Sequence, residues 1–278
     1  MKIRDFRGKT IYLFGGSSGI GLETAKLLAA EGAHLILFAR NRERLAAALE
    51  AVRQRRDGED QRTASHALDV TRYEDVVRVV EEAVDADGPP DILINCVGRA
   101  RPKRFDAIGH EQFDEIMKAN LYGTWNTISA LLPHMKERGG RILNFSSPCG
   151  YVGVYGYADY CAARFGTIGL SETLRTELRD FGISVQVICP PDTDTPGYRE
   201  ENKTKPPETA AISGWARLLD AEQAAGMVVR ALRSGRFLVN PGFMGKVVYL
   251  AKRMVPWFVD FMIRRDIRRV RRGRGDKH

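Results

Sequence analysis

Short apolar segments of strand length alternate along the chain with longer segments whose apolar positions recur at helical spacing. The alternation predicts an α/β protein, a doubly wound parallel sheet with helices on both faces. The predicted strands are residues 11–14, 34–39, 64–68, 92–96, 141–146, 183–189 and 236–239. The predicted helices are residues 20–31, 42–54, 73–84, 111–136, 158–179 and 221–233.

The 278 residues suffice for a single α/β domain with a full core. We assign that domain to residues 1–240, and a C-terminal extension, amphipathic and then basic, to residues 241–278. Residues 190–209 form one long segment without periodicity, rich in Pro, Asp, Thr and Lys. Loops of this length are usually functional lids or disordered.

The net charge of +8 is concentrated at the C-terminus. Residues 264–278 contain seven arginines and one lysine against two aspartates, so the rest of the chain is nearly neutral. A protein that binds long nucleic acid usually carries a basic face on its folded body. We therefore expect no nucleic-acid partner.

The cysteines indicate a reducing compartment without a metal site. None of the four forms a CxxC pair or has zinc-ligand spacing with histidine. The first predicted strand begins too early to leave room for a signal peptide, so we expect a cytoplasmic protein. The cysteines are Cys96, Cys149, Cys161 and Cys189.

A glycine-rich turn joins the first predicted strand to the first predicted helix. Glycines at this position let the backbone approach a pyrophosphate, and the helix N-terminus supplies N–H donors and a favourable dipole. Glycines alone would indicate only a tight turn, but in a first strand–helix turn they indicate a dinucleotide site. The candidate cofactor residues are Gly15, Ser17, Ser18, Gly19, Ile20 and Gly21.

The residues after the second predicted strand bear on which nicotinamide cofactor fits. An acidic residue there would bind the ribose hydroxyl and repel a 2′-phosphate. This chain instead has Arg40, followed by Arg44, and a guanidinium presents a planar fork to phosphate. The sequence therefore predicts NADPH. The alternative, a solvated helix charge, is the interpretation we favour for Arg42.

Two further strand ends supply candidate cofactor contacts. Asp69 and Val70 follow the third predicted strand, where the carboxylate would hold the adenine edge or, alternatively, cap the next helix. Asn95 and Gly98 lie at the end of the fourth, where the backbone is expected to pass close to the cofactor.

Ser147, Tyr160 and Arg164 form the candidate catalytic group. Tyr160 and Arg164 lie four residues apart on one helix face, and a nearby cation is expected to lower the pKa of the tyrosine. The tyrosine would then exchange a proton with a carbonyl oxygen, which a serine hydroxyl would also bind. Taken alone, such a pair is more often a surface contact, so the prediction depends on the whole set of motifs.

Together these motifs resemble the short-chain dehydrogenase/reductase family, in its order and spacing, over roughly residues 9 to 240. The resemblance implies a Rossmann-type fold and hydride transfer at a carbonyl carbon. It also implies that Ser147 orients the carbonyl, Tyr160 transfers the proton and Asn120 holds a water in the proton relay. Dimers or tetramers through helices 111–136 and 158–179 are further implied. The matching positions are Gly15–Gly21, Asp69, Asn95–Gly98, Asn120, Ser147 and Tyr160.

Two departures from the family pattern stand out. Arg164 replaces the usual lysine, and Pro191 replaces a glycine. Residues 190–209 resemble the 3-ketodihydrosphingosine reductases, which implies NADPH-dependent reduction of a long-chain keto sphingoid base beneath a lid. Thr193 and Thr195 would contact the carboxamide or the diphosphate. The alternatives are a reductase of another lipid or polyketide, and an NADP-binding protein of low activity because of Arg164.

The C-terminal segment, residues 243–270, is apolar but interrupted by charged residues. No stretch reaches the roughly 18 to 20 apolar residues of a spanning helix. Aromatic residues followed by arginines are typical of an element lying in a membrane interface. We therefore expect peripheral contact with the cytosolic face of a membrane. The alternative is a helix packed on the body, followed by a disordered tail.

Overall fold

The computed structural model describes residues 3–215 and 217–273. Its strands are β1 (Thr10–Phe14), β2 (His34–Ala39), β3 (Thr63–Ala67), β4 (Ile92–Asn95), β5 (Gly140–Phe145), β6 (Ile183–Ile188), β7 (Thr193–Asp194), β8 (Leu219–Asp220) and β9 (Leu238–Val239). Its α-helices are α1 (Gly19–Ala30), α2 (Arg42–Arg53), α3 (Tyr73–Asp87), α4 (His110–Met117), α5 (Gly123–Lys136), α6 (Ala158–Glu177), α7 (Pro196–Asn202), α8 (Pro207–Ser213), α9 (Ala221–Ser234), α10 (Phe243–Met254) and α11 (Pro256–Gly273).

Seven strands form one parallel sheet in the order β3-β2-β1-β4-β5-β6-β9. Helices cover both faces, so the central strands are buried on both sides and are apolar throughout rather than alternating. All five residues of β1 are buried. Ile11 and Leu13 belong to the core on one face of the sheet, and Tyr12 and Phe14 to the core on the other. The predicted doubly wound fold is confirmed.

The carboxyl ends of the strands meet at one edge of the sheet. The strand order changes direction between β1 and β4, and in open α/β sheets ligands bind in the crevice at this point. The turns after β1, β2, β4, β5 and β6 all open onto that edge. Most of the residues singled out above follow these strands, so the topology brings them together.

The helix predicted at residues 111–136 is divided in the structure. A π-helical turn, Lys118–Tyr122, separates α4 from α5. Asn120 lies in this turn, and its Nδ2 donates to the carbonyl oxygens of Ile116 and Arg99, at 2.8 Å each. π-turns within helices often mark functional sites. The hydrophobic pattern could not predict this one, because it leaves the apolar periodicity on either side intact.

The segment predicted as a loop, residues 190–209, is structured. It contains β7, α7 and the start of α8, and β7 pairs with β8. Thr195 caps α7, its Oγ1 accepting the Tyr198 N–H at 3.1 Å, and a proline opens each helix. Helices of seven residues are too short to display an apolar periodicity, which is why the pattern predicted only a loop.

The C-terminal extension forms α10 and α11, and α11 continues through the basic segment to Gly273. Trp215 Nε1 donates to Asp266 Oδ2 at 2.7 Å, and Arg271 Nη2 donates to the Tyr155 hydroxyl at 3.5 Å, so α11 is held against the body. Within residues 3–215 and 217–273, no helix combines the length and apolarity needed to span a bilayer. The last part of the predicted basic tail, residues 274–278, lies outside the described residues.

Candidate active site

The glycine turn after β1 is shaped to hold a phosphate group. Gly15 has a φ of +90°, which favours glycine, and a methyl group on Gly21 would overlap the Gly15 carbonyl oxygen. Ser18 is the N-cap of α1, but its side chain accepts no hydrogen bond from the helix. The first-turn N–H groups therefore remain free of a side-chain cap and point at the crevice. Ser17 and Ile20 belong to the same turn.

The segment of residues 190–209 contacts the glycine turn through Thr195. A methyl group on Gly19 would lie 3.0 Å from Thr195 Cγ2, so the two residues are in close contact. Thr193 lies closer to the sheet, where its buried hydroxyl donates to the Pro191 carbonyl oxygen at 2.9 Å. Of the two threonines predicted to contact the cofactor, Thr195 therefore lies at the glycine turn, whereas the Thr193 hydroxyl is buried with a partner of its own.

Arg40 stands at the carboxyl end of β2 with most of its side chain in solvent. Its Nη1 lies 3.8 Å from Asp69 Oδ2, so the structure brings these two predicted residues together. Asp69 Oδ1 also accepts hydrogen bonds from the backbone and hydroxyl of Thr71, at 3.0 and 2.9 Å. Arg44 is exposed in the first turn of α2. Val70 is buried, and its carbonyl oxygen accepts from Asn126 Nδ2 at 2.9 Å.

The Asn95 side chain is buried between β4, β5 and α5. Its Nδ2 donates to Asn144 Oδ1 at 2.9 Å, and its Oδ1 accepts the Thr127 hydroxyl at 2.8 Å. These two hydrogen bonds use the Asn95 side chain to hold β4 against β5 and α5. Any contact of Asn95 with a cofactor would therefore come from the backbone that follows it. A methyl group on Gly15 would lie 3.0 Å from the Cys96 carbonyl carbon, so this backbone does pass close to the glycine turn.

Ser147, and not Ser146, faces the open cavity together with Tyr160. Ser146 is buried, and its hydroxyl donates to the Arg164 carbonyl oxygen at 3.1 Å. The Ser147 Oγ accepts a 3.2 Å hydrogen bond from the Cys149 N–H, an interaction that does not use the hydroxyl proton. The choice of Ser147, made from its spacing to Tyr160, agrees with this geometry.

The Arg164 guanidinium is buried beside Tyr160, with its central carbon 5.0 Å from the centroid of the tyrosine ring. Its Nη1 donates to the Phe145 carbonyl oxygen at 2.7 Å, and its Nε is buried without a hydrogen-bond partner. A methyl group on Gly98 would overlap Arg164 Nη2 and lie 2.6 Å from Asn120 Oδ1. Gly98 therefore creates the space in which the arginine and Asn120 meet.

Burial raises the pKa of Tyr160 above its usual value, and the neighbouring Arg164 guanidinium offsets only part of that effect. This differs from the sequence-based expectation of a lowered pKa. The reason is that the pattern of residues revealed the cation but not the depth of the site. In the protein alone Tyr160 is consequently a protonated acid at neutral pH, which suits donation to a carbonyl oxygen.

A cavity of about 140 Å³ extends from Ser147 and Tyr160 towards the C-terminal helices. Sequence reasoning missed most of its walls, because they come from four distant segments without a shared motif. The polar walls include Asp192 and Glu201, and Glu201 accepts the Tyr157 hydroxyl. Its apolar walls include Val152, Val154, Ile212, Trp215, Met244, Val248 and Ile263.

A parallel sheet with a phosphate-shaped turn at its switch point, beside a serine, a tyrosine and a cation, defines a dinucleotide-dependent oxidoreductase. A model of the short chain dehydrogenase family matches residues 9–206, and the chain belongs to that family. Its cofactor is a nicotinamide dinucleotide. The glycine turn, the uncapped N-terminus of α1 and the unpartnered Arg164 Nε fit that group.

The similar proteins include reductases of sphingoid ketones. The 3-dehydrosphinganine reductase of Danio rerio is 37% identical over 237 residues, covering 84% of this chain and 71% of that protein. The 3-ketodihydrosphingosine reductase of Mus musculus is 36% identical over 240 residues, covering 86% and 72%. A solved structure of NAD⁺-bound xylitol dehydrogenase superimposes with a TM-score of 0.73 at 27% identity, covering 82% of this chain and 94% of that one.

Proposed function

We propose that this protein reduces the 3-keto group of 3-ketodihydrosphingosine to a hydroxyl group, with NADPH as the hydride source. The observation that carries the proposal is the cavity in which Ser147 and Tyr160 lie at one end and an apolar wall from α10 and α11 at the other. A long-chain ketone requires a catalytic end for its keto group and an apolar end for its alkyl chain. Relatives with that activity in their names match this chain over more than four fifths of its length.

When bound, the cofactor would supply hydride from C4 of the nicotinamide to the keto carbon. Tyr160 then donates its hydroxyl proton to the keto oxygen, and the Ser147 hydroxyl donates a hydrogen bond to the same oxygen. Arg164 stabilises the tyrosinate that remains and holds the cofactor ribose. Asn120, whose side-chain atoms already bond the backbone of Arg99 and Ile116, positions this group and supports the proton relay.

The preference for NADPH is assigned to Arg40, with Arg44 as a second contact. Arg40 follows β2 directly and is largely exposed, so a 2′-phosphate can reach its guanidinium without a change in the backbone. Arg40 Nη1 also lies 3.8 Å from Asp69 Oδ2, which helps to position the guanidinium. A charged hydrogen bond of this kind contributes about 1.5–3 kcal/mol. The remaining predicted cofactor contacts, Thr193 and Thr195, belong to the lid.

We also propose that α10 and α11 lie in a membrane interface, which would bring the apolar end of the cavity next to the lipid that contains the substrate. Large apolar side chains project outward from these helices, with arginines following on α11. The most exposed are Phe243, Leu250, Met254, Trp257 and Phe261. On this basis residues 1–240 are the reductase domain and residues 241–278 an extension that serves its substrate.

A dimer or tetramer is supported by a second set of exposed apolar side chains, outside α10 and α11. Tyr122, Trp125 and Phe165 are each about half exposed on the helices around the catalytic group. Exposed aromatic residues on long helices are typical of a protein interface. Trp125→Arg should then lower the molar mass in light scattering, and an unchanged mass would exclude this surface.

The proposal is tested by NADPH oxidation with 3-ketodihydrosphingosine in detergent micelles, with Tyr160→Phe as the control. We expect cofactor oxidation to match the formation of dihydrosphingosine in the unmodified protein and nearly to disappear in the variant. Arg164 favours one competing function, an NADP-binding protein with little turnover. Tight cofactor binding without oxidation by any long-chain ketone would support that function and exclude the first.

A further inference from the structure

A pair of partly buried carboxylates lies in the wall of the substrate cavity, and neither takes part in the reduction. Asp192 precedes β7 and Glu201 lies in α7, and both line the cavity that contains Ser147 and Tyr160. A keto group carries no charge for them to recognise. Recognition of the keto group by Ser147 and Tyr160 therefore does not explain why two acidic side chains lie beside them.

The Glu201 carboxylate is already satisfied by the protein. Lys205 Nζ lies 3.0 Å from its Oε1, and both side chains are largely buried. The Tyr157 hydroxyl donates to the same oxygen, and the Lys205 ammonium also lies 4.4 Å from the centroid of the Tyr198 ring. The charge of Glu201 is therefore paired with a lysine within the protein.

Asp192 differs from Glu201, because it has no cation of its own. Among residues 3–215 and 217–273, no basic side chain lies within 4.0 Å of its carboxylate. Its partners are the hydroxyl groups of Ser213 and Tyr198. Burial raises the pKa of Asp192, and Glu201 adds to this, while Lys205 acts in the opposite direction. The cluster has two carboxylates but only one lysine, which is paired with Glu201, so a cation bound beside Asp192 would stabilise its ionised form in this partly desolvated site.

From this geometry we propose that Asp192 binds the ammonium group of the substrate and so selects 2-amino ketones. The inference rests on the proposed function. In a 2-amino-3-ketone the ammonium is attached to the carbon next to the carbonyl. A carbonyl held by Ser147 and Tyr160 therefore presents its ammonium within the same cavity, whose wall contains Asp192. The ammonium supplies the missing cation, and the alkyl chain leaves along the apolar wall.

The test compares three ketones with one chain length: 3-ketodihydrosphingosine, its N-acetyl derivative, and the corresponding 1-hydroxy-3-ketone without nitrogen. In the unmodified protein, kcat/KM for the amine should exceed the other two by about ten- to a hundredfold, the scale of one charged hydrogen bond. Asp192→Asn should remove this advantage and leave the rate for the ketone without nitrogen within about twofold.

Asp194→Asn is the matched control, because Asp194 lies two residues away and is paired with Arg199 on the exposed side of the lid. Asp194→Asn should leave kcat/KM unchanged for all three ketones. If Asp192→Asn lowers kcat/KM equally for all three ketones, or lowers it for none, Asp192 does not bind the ammonium. The proposed function would be unaffected by either result.

A binding measurement distinguishes failure of the proposed function from failure of the inference about Asp192. Dihydrosphingosine is titrated into the protein with NADP⁺ and compared with its N-acetyl derivative. If the protein reduces no sphingoid ketone, the proposed function fails. Preferential binding of the free amine that Asp192→Asn abolishes would still support the inference, and equal binding of both compounds would overturn it. The melting temperature of Asp192→Asn should not fall, since the substitution removes a buried charge, so loss of folding will not obscure the result.

Discussion

Replacing Arg164 with lysine should raise kcat. The guanidinium is tied to the Phe145 carbonyl oxygen through Nη1 at 2.7 Å, and Nη2 fills the space above Gly98. A lysine lacks the fork that makes both contacts, so its ammonium is free to approach the tyrosine hydroxyl and the ribose. Displacing a catalytic group by about 1 Å changes rates by on the order of a hundredfold, which sets the upper scale of the gain.

The stability of this variant should change little. Losing the bond to Phe145 removes about 1.5–3 kcal/mol, whereas losing the buried, unpartnered Nε of Arg164 returns about 1–3 kcal/mol. The assay is single-turnover reduction at saturating cofactor and ketone, with thermal unfolding measured in parallel. Arg164→Met is the matched control and should be slower than either basic residue, because it also removes the charge. If Arg164→Lys is slower than the unmodified protein while unfolding at the same temperature, the site is built around arginine and the reasoning is refuted.

Four other outcomes follow from the same structure. Arg40→Asp should weaken NADPH binding about ten- to a hundredfold in equilibrium titrations, while Arg42→Asp, in the same turn, should not; equal losses would mean a nonspecific charge effect. Gly98→Ala should abolish turnover and lower stability by about 1–3 kcal/mol in denaturant unfolding, since its methyl group overlaps the guanidinium; normal activity would contradict the site geometry. Trp257→Ser should weaken binding to anionic vesicles about tenfold or more, as lost aromatic burial predicts, and unchanged sedimentation would exclude the interface. Because its pKa is raised, Tyr160 keeps its proton as the pH rises, so the rate of reduction should not fall between pH 7 and 9 through its ionisation; a fall that coincides with a rise in tyrosinate absorbance, which Tyr160→Phe eliminates, would contradict this.

The sheet and most of the site could be predicted because the information is local. Each strand is a short apolar run, and each candidate residue follows a strand in the sequence. Parallel strands have their carboxyl ends at one edge of the sheet, so Gly15, Arg40 and Ser147 can be placed along that edge without any knowledge of tertiary contacts.

The substrate cavity could not be predicted in this way. Trp215, Met244 and Ile263 meet there because α11 packs against α8 and α10 packs against α11, and the Trp215–Asp266 hydrogen bond stabilises this arrangement. No local pattern encodes that approach. The basic segment was also misleading in isolation, since its arginines suggested a tail and not a helix anchored by the buried Asp266.

The raised pKa of Tyr160 was missed for a related reason. The spacing of Tyr160 and Arg164 reveals a cation one helical turn away, but burial is a property of the whole fold. The short helices of the lid likewise lacked a recognisable period, although their proline starts and the Thr195 cap are signals that could have been used.

The most direct test of the central claim is transfer of deuterium from NADPH labelled with deuterium at both C4 positions. The protein is incubated with 3-ketodihydrosphingosine in micelles, and the product is analysed by mass spectrometry. We predict dihydrosphingosine carrying one deuterium at C3, formed in equal amount to the cofactor oxidised, and none with Tyr160→Phe. Cofactor that binds but transfers no deuterium to the ketone would contradict the account.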